Sequence, residues 1–312
     1  MFLKQLNKIK LVYVGDLNSI NLEIIANSHS YLVKKKIKYI LIGDITKIKK
    51  YFSVIKNDSI KLIEVFNFTD IFYIKRNAIF IFDLQSKQLE KSDLIINQVN
   101  ISNNLSRINS LDLITMPINK SVIKKNYKFN GMTEYFKKIN NRETLMLMKG
   151  ENFSIIPLTT HIKFKNILNN FNKIDFYNKL KKIILLIKNK KIIYNEIIVL
   201  GVNPHAGENG TLGNEEIIMK KIIDKVIIAF DFKNIKGPLS ADSAFQSTNK
   251  GQLFISFYHD QALIPFKILN KKSINHTIGL SFNRLSPAHG TAEDIIFKNL
   301  SDNTSYIQCM LN

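Results

Sequence analysis

The segment EIIVLGVNP (196–204) restricts the possible fold more than any other stretch of this chain. Ile197 to Val202 form an unbroken apolar run. A strand with one wet face would alternate apolar and polar residues. An unbroken run suits a strand covered on both faces, as in parallel sheets flanked by helices. The run passes into the Gly-rich loop GVNPHAGENGTLG, and Asn214-Glu215-Glu216 then opens a helix. Asn is a favoured N-cap, and acidic side chains suit the positive end of the helix dipole. Ile217, Ile218, Ile222, Val226 and Ile227 follow at helical spacing. Strand, loop and helix in this order are the repeating unit of an α/β fold.

The same grammar recurs. KLVYVGD (10–16), YILIGD (39–44), LDLITMP (111–117) and LFISFYHD (253–260) read as strands ending in polar turns. The stretch 165–194 reads as an exposed pair of amphipathic helices, and the first ten residues as a short lead-in to a strand. A chain of 312 residues, 45% of them hydrophobic, can bury a large core as one α/β unit or as two subdomains. No apolar run approaches eighteen residues, so neither a transmembrane helix nor a membrane partner is expected. The single Cys309 excludes a disulfide framework or a cysteine-built metal site within one chain, and a cytoplasmic location is expected.

The net charge of +20 raises the question of nucleic acid. Only Arg76, Arg107, Arg142 and Arg284 are arginines, the other basic residues are lysines, and they form no stripe. Arg is the better residue for bidentate recognition of phosphate and bases. The excess of Lys, Ile and Asn therefore reads as a bias of composition, and no nucleic-acid partner is expected.

Residue types that such a bias disfavours persist where chemistry or backbone geometry requires them. His161, His205 and His259 each stand at or near the end of an apolar segment and close to a proline. Three imidazoles with no fourth protein ligand are a pattern of catalytic metal sites, which keep one position open. Three unrelated structural histidines would give the same spacing. Lys267 follows His259 by eight residues, and Arg284 is the only arginine after Arg142. Both suit a phosphate or carboxylate clamp, with surface placement as the alternative. Neither GxxxxGK[ST] nor GxGxxG occurs, so a dinucleotide would need another route of binding.

Taken together, the segments GDLNSINLEII (15–25), TMPINK (115–120), GMTEYF (131–136), TTH (159–161), GVNPHAGENGTLGNEE (201–216), GPLSAD (237–242), YHDQALIPFK (258–267), INHTIGLSFNR (274–284) and SPAHGTAEDI (286–295) resemble the 4-hydroxythreonine-4-phosphate dehydrogenase (PdxA) family of vitamin B6 biosynthesis. The resemblance implies an α/β fold similar to isocitrate and isopropylmalate dehydrogenases. That fold has two interleaved α/β subdomains around a cleft within a single catalytic chain, 1–312, and non-Rossmann NAD binding. It implies a homodimer with active sites completed across the interface. The implied reaction is the NAD- or NADP-dependent oxidation of 4-phosphooxy-L-threonine to 2-amino-3-oxo-4-phosphooxybutanoate. That product decarboxylates to 3-amino-2-oxopropyl phosphate on the way to pyridoxal 5'-phosphate.

Residue by residue, the resemblance carries over a divalent metal (zinc, magnesium or cobalt) on His161, His205 and His259, with ligands drawn from both subunits. Thr133, Lys267, Asn275 and Arg284 fall on substrate-binding positions. His289, Gly290, Thr291 and Asp294 fall in the loop that holds the cofactor's adenosine. Lys120 and Asp242 match residues near the catalytic centre. The chain departs from the pattern at Met132, where the family has a substrate-binding His. Ser19, Asn21, Ala262, Phe297 and Asn299 stand where glycines are usual. Met132 keeps open two alternatives: a related dehydrogenase of another phosphorylated hydroxy acid such as a phospho-erythronate, and a non-catalytic homologue.

Overall fold

Strand β1 (Ile9–Tyr13) is the start of the first sheet, and its residues divide by parity. Val12, with Val14 beyond the strand, faces one apolar cluster, while Ile9, Leu11 and Tyr13 face another. The computed structural model that shows this describes residues 9–55, 59–72, 78–84, 89–124, 126–167 and 173–312. Residues 1–8 of the expected lead-in lie outside the described residues. The elements that follow are α1 (Asn21–Lys34), β2 (Lys38–Gly43), α2 (Ile45–Val54), β3 (Lys61–Glu64), β4 (Ala78–Asp83), α3 (Lys91–Asn109), β5 (Asp112–Thr115), α4 (Lys120–Lys124) and α5 (Met132–Asn140). Then come β6 (Leu145–Gly150), β7 (Ser154–Pro157), α6 (Lys173–Lys188), β8 (Glu196–Leu200), α7 (Glu215–Phe230), β9 (Ile235–Leu239), α8 (Ala241–Ala244), β10 (Gln252–Ser256) and α9 (His259–Leu269). β11 (Ser273–Ile278), β12 (Arg284–Pro287) and α10 (Thr304–Leu311) complete the chain.

Two compact units result, one from residues 1–144 with 274–312 and one from 145–273. In the first, the strand order is β3-β4-β2-β1-β5-β12-β11. All pairings are parallel except β11 with β12. The parity seen in β1 runs across the sheet. Tyr39, Leu41, Ile79, Ile81 and Ile114 join the cluster packed with Ile24, Ile25 and Leu32 of α1. Ile40, Ile42, Phe80 and Leu113 join the one packed with Ile95 and Val99 of α3. Two-residue periodicity sends successive side chains to opposite faces, so a strand apolar at every position needs a helix layer on each. Each fully buried aliphatic side chain contributes about 1.5–3 kcal/mol.

In the second unit β10 lies between β7 and β8, parallel to both, and β9 extends the sheet beyond β8. β6 pairs antiparallel with β7. Phe153, Phe245, Phe254 and Phe266 form its aromatic core, with Phe153 and Phe254 ring centres 5.0 Å apart.

Three details differ from expectation. Residues 165–194 hold one long described helix, α6, preceded by a short 3-10 turn at Phe164–Asn166. Residues 168–172 are outside the described residues. The helix is not merely exposed, because Phe176, Leu180, Ile183 and Ile184 are buried. Asn214 occupies the N-cap of α7 without a capping side-chain bond. The buried stripe of α7 runs through Met219, Ile222, Ile223 and Val226, and Ile217 is exposed. Ile is so frequent in this composition that an apolar residue alone does not define a face.

The substitutions Ser19 and Asn21 are built into the fold. Asn21 Nδ2 lies 3.0 Å from the carbonyl of Val14, 2.9 Å from that of Pro117 and 3.3 Å from that of Asp16. Ser19 Oγ donates to the Asp16 carbonyl and accepts from Asn21 N. The ends of β1 and β5 are therefore tied by one amide. Asn21→Ala is expected to lower unfolding free energy by about 1–3 kcal/mol, since buried carbonyls lose their donor. A shifted urea midpoint with an unchanged slope would register this.

Candidate functional site

The parallel strands β7, β10 and β8 point the same way, so the loops leaving their carboxyl ends share one edge of the sheet. Ligand sites of open α/β sheets are found at this edge. His161 follows β7 by four residues, His205 follows β8 by five, and His259 begins α9 after β10. The rings of His161 and His259 are 5.8 Å apart between centroids. His259 Nδ1 lies 2.7 Å from Asp260 Oδ1. A carboxylate there holds the proton on Nδ1 and leaves Nε2 with its lone pair outward, the usual arrangement behind a metal-binding imidazole. His205 Nδ1 stands 3.7 Å from Asp242 Oδ2. The Ser240 hydroxyl, donating to Asp242, holds that carboxyl below its ordinary value. Among the described residues no three His, Cys, Asp or Glu side chains of the single chain converge on one ion position. A donor set of three imidazoles, two of them beside carboxylates, suits a divalent metal, and one chain brings the rings of His161 and His259 together.

His205 sits in an unusual turn. His205, Ala206, Gly207, Glu208 and Asn209 have φ of 49°, 53°, 77°, 46° and 57°, five successive left-handed residues. Four of them carry a Cβ, and each such residue costs on the order of 1 kcal/mol or more. The compensation is visible. Glu216, buried at the start of α7, accepts from Val202 N and Asn203 N, both at 2.8 Å, and from Asn203 Nδ2 at 3.0 Å. A Cβ at Gly207 would lie 2.5 Å from Glu216 Oε2. Gly207 is therefore required twice, by its φ and by the carboxylate that fills the loop. The rare residues of this loop thus serve a tight left-handed turn.

In the first unit, Arg284 is 2% exposed. Nη1 donates to Thr277 Oγ1 at 3.1 Å, Nη2 donates to Thr115 Oγ1, and the guanidinium lies over the Phe136 ring. Nε has no partner, and none of the ion pairs among the described residues involves Arg284. Burial lowers its pKa to about 10, which still leaves it charged at neutral pH. Thr133 joins this cluster through Thr277, hydroxyl to hydroxyl at 3.2 Å. The side-chain oxygen of Asn275 is buried without a donor. Cys309 and the Glu134 carboxylate act on the buried guanidinium electrostatically, while its hydrogen bonds go to hydroxyls and Nε stays open, so a bound anion would complete its hydrogen bonding.

The other expected residues are less enclosed. Lys120 is exposed at the first position of α4, and Lys267 is exposed on α9. The loop His289 to Asp294 is anchored where Ile20 N donates to the Thr291 carbonyl. His289 Nδ1 donates to the Gly290 carbonyl, its Nε2 is buried with no partner, and burial lowers the ring's pKa. A Cβ on Gly290 would meet nothing within 4 Å. An orphaned acceptor beside open backbone fits a loop that receives a hydroxyl- or amine-bearing ligand such as an adenosine. Asp294 is exposed in the same loop. Phe297 (φ 62°) and Asn299 (φ 54°) keep the left-handed backbone that glycine would adopt freely.

Glu216, Asn203, Gln261, Thr115 and Thr277 were not singled out by sequence reasoning. For Thr277 the signal was present, since it lies two residues from Asn275 on the same strand face. For the others it was not, because their partners lie across loops.

The family described as "Pyridoxal phosphate biosynthetic protein PdxA" matches residues 19–311. A 4-hydroxythreonine-4-phosphate dehydrogenase of Sulfurihydrogenibium sp. (strain YO3AOP1) is 31% identical over 96% of this chain and 95% of its own length. A D-threonate 4-phosphate dehydrogenase of Pectobacterium atrosepticum is 34% identical over 59% of this chain and 57% of its own. A solved 4-hydroxythreonine-4-phosphate dehydrogenase from Klebsiella pneumoniae superposes with a TM-score of 0.78, covering 97% of this chain and 99% of that one at 24% identity, a likeness of fold.

Two outcomes follow from the geometry. Inorganic phosphate is expected to raise the melting temperature of the wild type and not that of Arg284→Met, because a ligand that binds only the native state stabilises it. For His289 the folded pKa lies below 6.5, so the unfolded chain takes up its proton first as pH falls. Stability is therefore lost as pH drops through about 6.5 towards the folded value. His289→Asn should remove that part of a pH–melting curve.

Proposed function

The chain belongs to the PdxA family of pyridoxal phosphate biosynthetic proteins, and from that membership we propose that His161, His205 and His259 hold a divalent metal for its dehydrogenase reaction. The chain is an oxidoreductase that converts 4-phosphooxy-L-threonine with a nicotinamide cofactor, in the formation of pyridoxal 5'-phosphate. The observation that carries the metal reading is the strand-end pair His161 and His259, with Asp260 behind one ring. Zinc, magnesium or cobalt is the ion. His161 and His259 supply two ligands from one edge, and ligands shared between two subunits of a homodimer account for His205 standing apart from them within one chain. The working molecule is then this single catalytic chain, 1–312, paired with a second copy. No helix among the described residues is long and apolar enough to cross a membrane, and we place the reaction in the cytoplasm.

When bound, the metal supplies Lewis acidity at the substrate hydroxyl and the nicotinamide ring accepts the electrons. The chain's own residues bind and orient. Arg284 and Lys267 neutralise substrate charge. Arg284 is the stronger anchor, since its fork is already fixed by Thr115 and Thr277. Thr133 and Asn275 offer a hydroxyl and an amide for the polar groups of the substrate. His289, Gly290, Thr291 and Asp294 receive the adenosine of NAD or NADP. From the family's pattern, Asp242 and Lys120 are assigned as the acidic and basic groups of the reaction. Asp242 is held ionised by Ser240.

A second reading concerns the substrate. Met132 opens α5 and packs against the apolar cluster of β1 and α3. A thioether donates no hydrogen bond. A related phosphorylated hydroxy acid, as in the D-threonate 4-phosphate dehydrogenase relative, would be favoured if the missing contact matters for the threonine derivative.

Purified protein with 4-phosphooxy-threonine, NAD and Mg2+, Zn2+ or Co2+ is expected to generate NADH absorbance. His205→Ala should abolish both the signal and stoichiometric metal. A folded protein silent with every metal would reject the reading. Met132→His should raise kcat/KM for 4-phosphooxy-threonine about ten- to a hundredfold, the worth of one hydrogen bond to a charged group. A strong wild-type preference for a phospho-erythronate or phospho-threonate would establish the second reading instead.

A further inference from the structure

Two of the proposed metal ligands are joined by hydrogen bonds that run through residues with no assigned role. Gln261 lies two residues after His259 in α9. Its Nε2 donates to the Gly201 carbonyl at 2.8 Å, at the end of β8. Its Oε1 lies 2.6 Å from Ser256 Oγ, at the end of β10. A carbonyl oxygen can only accept, so the amide has one possible orientation and both of its ends are used. Gly201 in turn leads directly into Val202 and Asn203, whose N–H groups both donate to Glu216 at 2.8 Å. Asn203 Nδ2 is clamped between Glu215 Oε2 at 2.9 Å and Glu216 Oε2 at 3.0 Å. His205 follows two residues later, at the first left-handed position of the turn.

We infer that Gln261 and Glu216 are positioning residues: within each chain they hold the His205 loop and the start of α9 in place on the sheet edge, so that each ligand is presented in a fixed position to the site it serves. This rests on the reading of both histidines as metal ligands. Three observations favour positioning over general stability. Glu216 is an acidic side chain buried against backbone donors of the ligand-bearing loop, and none of the ion pairs among the described residues involves it. It occupies the volume that a side chain at residue 207 would need. Gln261 spans from the helix that begins at His259 to the strand that delivers His205, with both ends of its amide engaged. The turn that carries His205 is strained by its left-handed residues, so it holds its shape only while its anchors are in place. Residues that orient metal ligands through a second layer of hydrogen bonds typically account for about ten- to a hundredfold in metal affinity.

The test uses the full chain, stripped of metal and titrated with Co2+ by calorimetry. The visible spectrum of bound Co2+ reports ligand geometry, and thermal melting reports the fold. Gln261→Leu and Glu216→Ala are expected to weaken Co2+ binding about ten- to a hundredfold and to alter the Co2+ spectrum. Glu216→Gln keeps an oxygen for both backbone N–H groups but sets its own NH2 against Asn203 Nδ2, and is expected to fall between wild type and Glu216→Ala in both readouts. Gln261→Leu and Glu216→Ala proteins that melt lower yet bind Co2+ with wild-type affinity and spectrum would overturn the inference. Should Glu216→Ala fail to fold, Gln261→Leu and Glu216→Gln decide it alone. His205→Ala separates the two levels. If that variant leaves Co2+ binding untouched, the ligand reading itself fails. If it abolishes binding while Gln261→Leu and Glu216→Ala change nothing, only the positioning role fails.

Discussion

Parallel strand pairing within each sheet is the constraint on which the rest depends. A parallel strand cannot return by a hairpin, so each is followed by a loop and usually a helix, and the helices cover both faces. The sheet interior is then mostly apolar, and polar function collects at the strand ends and on the antiparallel pair β11 and β12. Val12 and Leu11 show the first half of this, neighbours in sequence that face different clusters. His161, His205 and His259 show the second half, each placed beyond the carboxyl end of a buried strand.

Concentrating function at strand ends has an energetic cost, and the chain meets it with buried polar groups that are mostly well satisfied. Glu216 accepts three hydrogen bonds, and Asn21 spans three carbonyls. Buried side-chain atoms without a hydrogen-bond partner include those of Arg284, Asn275 and His289, and equally those of Asp16, Asn21, Ser106 and Tyr306. Such an atom points to a ligand only where other geometry agrees, as at Arg284, whose other nitrogens are held by Thr115 and Thr277.

Four positions where the family resemblance leads one to expect glycine show two local arrangements. The side chains of Ser19 and Asn21 are tied into hydrogen bonds. Phe297 and Asn299 adopt a left-handed backbone, which costs a residue with a Cβ more than it costs glycine.

The sequence by itself determined the α/β class, the main strands, the strand-end histidines and Arg284 as a retained cation. All of these follow from local pattern: apolar runs, turn residues, and rare residue types in a biased composition. Its errors were local too. Asn214 read as a side-chain cap because its partner cannot be seen in the residues alone, and the face of α7 was blurred by the abundance of Ile. Only the tertiary structure decided that Glu216 and Gln261 anchor the His205 loop and that Thr115 and Thr277 hold Arg284. Those contacts join residues as close as seven positions and as distant as 169 along the chain. Their distances and angles come from the packing of whole strands and helices, which no short stretch of sequence encodes.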